Sequence, residues 1–222
     1  MWSFALLICV ASFSFMLYSS LRESAIVDEA AHIPAGYAYV SELDFRLNPE
    51  HPPLVKALAA LPLLIVHPEF PTDSAAWTTD VNGQWAMGEQ LLYKSGNNAD
   101  TIVAASRIMP ILLTILTIIF IYFWSKKLVG AAWALLPTFL FALSPTVLAH
   151  GHYVTTDLGA AFGVLLATYF FLKSLREPSP KNIIIAGLAL GVAELLKFSA
   201  VLLFPYFVIL AVVHFLANSK DL

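Results

Sequence analysis

The stretch TIVAASRIMPILLTILTIIFIYFW, residues 101–124, holds one charged side chain, Arg107, among twenty-four residues. A helix of about 20 apolar residues crosses the ~30 Å hydrocarbon core of a bilayer, so a chain with this run is organised by a membrane. Apolar runs of spanning length also occupy about 2–21, 131–149 and 155–172. Residues 183–217 are one apolar stretch whose charges are Glu194 and Lys197. As one helix it would reach about 50 Å, too long for one crossing. The charges therefore mark a turn between helices at 183–195 and 198–217. The expectation is an all-α, polytopic membrane protein with six spans and a long loop, 22–100, after the first.

Composition agrees: 59% of residues are hydrophobic and 12% charged, about half the charge of a soluble domain. A net charge of −3, with no basic patch interleaved with aromatics, gives no sign of a nucleic-acid partner. Cys9 is alone and forms no internal disulfide. The N-terminal run lacks the basic start of a signal peptide and reads as a retained helix. Lys126, Lys127, Lys173, Arg176, Lys181 and Lys220 all fall on one side of a six-span layout. By the positive-inside rule that side is cytoplasmic. The first loop, the HGHYVTTD loop at 150–157 and the Glu194–Lys197 turn then face outside.

The first loop carries local order of its own. Ile26, Ala30, Ile33, Tyr37 and Val40 recur at helical spacing, with Pro34 placed to kink the helix unless it starts nearby. A second helix is expected from Pro52–Pro53, with Leu54, Leu58, Leu61 and Ile65 as its apolar stripe. Amphipathic helices beside a span lie in the interface. Residues 67–83 read as loop and 84–94 as a third short helix. There is no internal repeat and no Gly-rich phosphate loop.

Chemistry-bearing residues collect on the outer side. Asp28–Glu29 stands where the first span has just ended, and ionised groups near hydrocarbon are costly unless water, a partner or a substrate meets them. The pair suits either the dipole of a helix start or general-base work, which needs the proton donor within about 3 Å. His32 is one helical turn on, as an interfacial hydrogen-bonding group or a metal ligand. Glu50 and His51 precede the Pro-Pro helix start, where a helix N-terminus attracts anions; His51 or Lys56 would add positive charge. His150, His152 and Asp157 face the same side, with Asp157 also suited to cap a helix. Arg107 either snorkels to the interface or points into the same space, and Glu194 and Lys197 either neutralise each other or leave Lys197 to anchor a phosphate.

Taken together, the acid pair after the first span, EHPPL at 50–54, the arginine early in the second span, TTD at 155–157 and LGVAELLKFS at 190–199 resemble the GT-C membrane glycosyltransferases. The similar branch holds the protein O-mannosyltransferases and the aminoarabinose transferases of lipid A. The resemblance implies a polyprenyl-phosphate sugar donor, an inverting transfer to an acceptor hydroxyl at the outer face of the cell membrane, and no nucleotide cofactor. It implies Asp28 as the base or acceptor-orienting group, with Glu29 as its partner and Asp157 as a further catalytic acid. It implies donor phosphate contacts at His51 and Lys197, to which the residue reading above adds Lys56 and Arg107. At the position of His51 the aminoarabinose transferases carry lysine. Relatives differ in metal dependence, and Glu50, His32 and His152 are the residues that would hold a divalent metal ion.

Members of this family usually continue beyond six spans, so the chain is expected to be the N-terminal membrane module, inactive alone if later helices close the donor cavity. A transporter or lipid flippase is the alternative from another class. Its ionisable groups would sit near mid-membrane within a repeat, whereas here they gather at one face. A non-catalytic fragment of a transferase is the third reading.

Overall fold

The computed structural model describes residues 1–218 and is all-helical over them, with no strand among the described residues. Lys220, used above for orientation, lies outside them. Among the described residues, four helices are long and apolar enough to cross a membrane: Trp2–Ser20, Ala99–Val129, Asp157–Arg176 and Phe198–Asn218, the last including a 3₁₀ start. The protein is thus an integral membrane protein of all-α class. Its contacts divide it into two units, Met1–Leu158 and Gly159–Leu222.

In the first unit, α1 (Trp2–Ser20) packs on α7 (Ala99–Val129). At 1.5 Å per residue α7 is about 46 Å long, so it outruns the hydrocarbon and carries its first turns past the end of α1. Residues 131–149 are built as two short helices, α8 (Leu135–Ala142) and α9 (Pro145–His150). The break has a local cause. Pro145 pushes Ser144 out of helical geometry, to φ −60° and ψ 130°, and then starts the next helix itself. Ser12 of α1 donates to the Ala142 carbonyl (3.1 Å) just where α8 ends.

The long first loop folds into a compact cap. Its helices are α2 (Val27–Ser41), α3 (Leu54–Ala60), α4 (Leu63–Val66), α5 (Ala75–Thr78) and α6 (Gln84–Glu89), the last continued by a π-helical turn, Gln90–Lys94. The helix expected at Pro52–Pro53 is α3, and 84–94 is helical as expected. By contrast, α2 is buried on every side from Ala31 to Tyr39, more enclosed than a single apolar stripe requires. Glycine makes this possible. A Cβ on Gly36 would overlap the Lys56 carbonyl of α3, and one on Gly88 would overlap the Ala30 carbonyl of α2. Pro34 lies inside α2 and lacks the N–H that would bond the carbonyl four residues back, which is that of Ala30. The carbonyl released by Pro34 is the one that Gly88 of α6 approaches.

In the second unit, most of α10 (Asp157–Arg176) packs with α11 (Pro180–Leu196) and α12 (Leu203–Asn218). Ser179 caps α11 by accepting from the Asn182 N–H. The helix stops at Lys197, whose backbone is extended (φ −158°, ψ 131°), and a 3₁₀ turn, Phe198–Leu202, leads into α12.

Candidate active site

Arg107, about two turns into α7, is the largest fully buried side chain among the described residues. Its five N–H groups are all engaged. Nε donates to Glu29 Oε1 (2.8 Å) and Nη2 to Glu29 Oε2 (2.7 Å) and the Ser24 carbonyl (2.9 Å). Nη1 donates to the carbonyls of Ser20 (3.0 Å) and Glu23 (2.8 Å). One guanidinium therefore gathers the turn between α1 and α2 and the acid that starts α2.

Glu29 is as fully engaged as its partner, and both side chains have 0% exposure. Besides Arg107 it accepts from the N–H of Ile26 (3.0 Å), closing the first turn of α2, and from the N–H of Val154 (3.1 Å) in the 151–156 loop. Two expectations change here. Arg107 has no donor left for a donor phosphate, and Glu29 has no face left for a substrate. They form a buried ion pair that joins α2, α7 and the 151–156 loop. Asp28, the preceding residue on α2, is exposed.

Val154 is a two-way clamp, because its carbonyl is bonded as well. It accepts from His32 Nδ1 (2.7 Å), which fixes the His32 tautomer with the proton on Nδ1. Burial pushes the His32 imidazole below its ordinary pKa. The Val154 bond and Asp28 oppose this, while His51 and Lys56 add to it, so His32 is held neutral near pH 7. Its ring meets that of His51 edge to face at 5.1 Å. The Pro-rich loop thereby comes against the start of α2.

Lys56 explains how that loop is held. The amine is fully buried and lies 2.7–2.8 Å from four acceptors: Tyr39 Oη, the Asn48 carbonyl, Asn48 Oδ1 and the His51 carbonyl. Tyr39 passes its own proton to the Leu47 carbonyl (2.6 Å). Asn48 adopts a left-handed conformation (φ 52°), which asparagine tolerates better than most residues. Burial pulls the Lys56 pKa down to about 8 against the pull of the Glu50 carboxylate, and pushes Tyr39 up to about 12. The sequence suggests Lys56 for a phosphate, but its three protons are shared among these four acceptors, three of them on residues 48–51. The staple leaves Glu50 exposed, accepting from Gln84 Nε2 (3.1 Å), and His51 half-buried.

The 151–156 loop adds a cluster around Glu23 that the sequence does not reveal. Glu23 Oε2 accepts from Tyr153 Oη (2.6 Å) and faces His152 Nε2 (3.0 Å), while His152 Nδ1 faces the Leu148 carbonyl (3.0 Å). Burial raises the Glu23 pKa, but the bonds from Tyr153 and His152 and the charges of His152 and Arg107 outweigh it and leave it below the ordinary value. Burial and the Glu23 carboxylate push Tyr153 up to about 12. The Tyr153 ring also stacks on Arg107, 5.1 Å from its centroid.

Glu50, His32 and His152, the three expected metal ligands, thus have separate partners. No group of three or more His, Cys, Asp or Glu side chains is placed to hold a metal ion among the described residues. Asp157, three residues after Val154, is exposed in the first turn of α10. Lys197 stands at the end of α11 in the second unit.

Residues 99–220 match the family described as dolichyl-phosphate-mannose-protein mannosyltransferase. That is more than half of the chain; it includes Arg107, the 151–156 loop, Asp157 and Lys197, and begins after the cap that holds Asp28. No curated protein and no solved structure matches the chain.

Proposed function

The chain belongs to the dolichyl-phosphate-mannose-protein mannosyltransferase family, a membrane glycosyltransferase family of GT-C type, and from that premise we propose that it moves a sugar from a polyprenyl-phosphate donor to an acceptor hydroxyl with inversion at the anomeric carbon. The observation that carries the reading is the division of labour at the start of α2. Glu29 is sealed in four hydrogen bonds, whereas the neighbouring Asp28 carboxylate is exposed. Of the pair, only Asp28 is free to meet a substrate.

In the proposed step Asp28 takes the proton of the acceptor hydroxyl as that oxygen bonds to the anomeric carbon. The bond from that carbon to the phosphate oxygen breaks, and the polyprenyl phosphate leaves with the electron pair. A base in this role contributes about 10²–10⁴ in rate. The leaving phosphate gains charge, and donors preset around it lower the barrier. His51, presented by the Lys56 staple beside α2, is the side chain of the cap that suits this task. Asp157 is the second carboxylate, assigned to orient the acceptor. The site faces the outside of the cell membrane in this reading, and the products are glycosylated proteins or other components of the cell envelope.

The test is the anomeric configuration of the product. Membranes containing the protein are given a β-linked polyprenyl-phosphate sugar labelled with ¹³C at the anomeric carbon, and the glycosylated acceptor fraction is read by one-bond ¹³C–¹H coupling. An α-linked product is expected. A β-linked product, or label recovered only as free sugar, overturns the proposal.

A further inference from the structure

A cavity of about 640 Å³ opens at the end of α1, on the side of the α1–α2 turn that Arg107 does not fill. Residues 20–24 form one wall and the first turns of α7, from Asn98 to Ala104, form the other. Its lining brings three charged side chains together: Arg22, Glu23 and Asp100.

Each charge has unused capacity. The Arg22 guanidinium sits over the Tyr18 ring, 4.3 Å from its centroid, and no carboxylate pairs with it among the described residues. Tyrosine and arginine at a helix end mark the membrane–water interface, with the guanidinium at headgroup level. Glu23 spends Oε2 on Tyr153 and His152, and Oε1 makes no hydrogen bond among the described residues. Asp100 is exposed in the first turn of α7, where the Asn98 side chain already takes the Thr101 N–H. One cation beside two carboxylates repels an anionic headgroup. It suits a group that carries both a phosphate and a hydrogen-bonding ammonium.

We propose that this cavity binds the headgroup of an amine-bearing phospholipid, with the phosphate on Arg22 and the primary ammonium between Glu23 and Asp100. A primary ammonium offers three N–H donors to the carboxylates, and charge-assisted bonds of this kind are the strong ones. A trimethylated headgroup offers none, so binding should discriminate between the two. The site is independent of the transferase reading, since it uses neither Asp28 nor His51.

The experiment is lipid retention by native mass spectrometry. Protein is reconstituted in nanodiscs of equal parts phosphatidylethanolamine, phosphatidylcholine and phosphatidylglycerol and then released. Phosphatidylethanolamine should be retained about tenfold over phosphatidylcholine, the factor that one charge-assisted hydrogen bond supports. Asp100→Asn should cut that preference severalfold, and Arg22→Ala should lower retention of all three lipids at the site. Both residues are exposed, and circular dichroism checks that each variant is folded. Equal retention of the amine and trimethylated lipids overturns the proposal, as does stronger retention of phosphatidylglycerol or an Asp100→Asn variant with an unchanged preference. Displacement of the lipid by soluble phosphoethanolamine at millimolar concentration would overturn its assignment to a lipid.

Discussion

Glu29→Gln tests whether the buried ion pair holds the cap to the membrane helices. The substitution is nearly isosteric and removes one charge. It leaves Arg107 with a full charge at 0% exposure. Glu29 receives four N–H groups: two from Arg107, one from Ile26 and one from Val154. The glutamine oxygen accepts from at most two of them, while its NH₂ group confronts the others. Breaking a buried pair from one side costs about 3–5 kcal/mol. For a chain of this size each kcal/mol moves the melting temperature by about 2–4 °C, so a fall of about 6–20 °C is expected. The assay is thermal unfolding of purified protein in nanodiscs, followed by circular dichroism. The double variant Glu29→Leu/Arg107→Met should recover none of the loss. Three carbonyls and two amides would stay without their partners, at about 1–3 kcal/mol each where water does not reach them. A Glu29→Gln protein that melts within about 2 °C of wild type would refute the reasoning.

Three further outcomes follow from the same geometry. Lys56 has a folded pKa of about 8, below its unfolded value of ~10.4, so between those limits the unfolded chain binds more protons and stability rises with pH; this gain, about 2–3 kcal/mol from pH 8 to 10, should be absent in Lys56→Met when the two proteins are compared by denaturant titration. Glu23, whose folded pKa is lowered, contributes stability above its unfolded pKa and loses it as pH falls through the folded value, so the difference in melting temperature between wild type and Glu23→Gln should be present at pH 7 and shrink as pH falls below the ordinary carboxylate range. Gly36→Ala places a methyl group against the Lys56 carbonyl and should cost about 1–3 kcal/mol, as overpacking does, whereas Gly187→Ala, with open space in the interior of α11, should melt a few degrees above wild type, by the ~1 kcal/mol helix preference of alanine over glycine.

The membrane class is legible in the sequence because long apolar runs have few other uses in a chain. The break marked by the Glu194–Lys197 pair is legible too, and the chain leaves regular α-helix at Lys197, whereas Pro145 splits at Ser144 a run, 131–149, that reads as one span in the sequence. The roles of the charged residues are not. Arg107 and Glu29 lie 78 positions apart, and no periodicity reports such a pairing. Lys56 reads as free charge at a helix start because the four acceptors that surround it depend on the fold of residues 39–51. Glu23 is overshadowed by Asp28–Glu29. The signal for it, an acid immediately past Tyr18 and Arg22, is an ordinary interfacial pattern until Tyr153 and His152 close on it.

The central claim is that, of the adjacent acids, Asp28 acts on the substrate while Glu29 acts on the fold. It is tested most directly by Asp28→Asn in membranes supplied with a radiolabelled polyprenyl-phosphate sugar, with transfer and melting temperature measured on the same preparation. The account predicts a loss of about 10²-fold or more in transfer with the melting temperature unchanged, because Asp28 is exposed. Undiminished transfer by Asp28→Asn would contradict it.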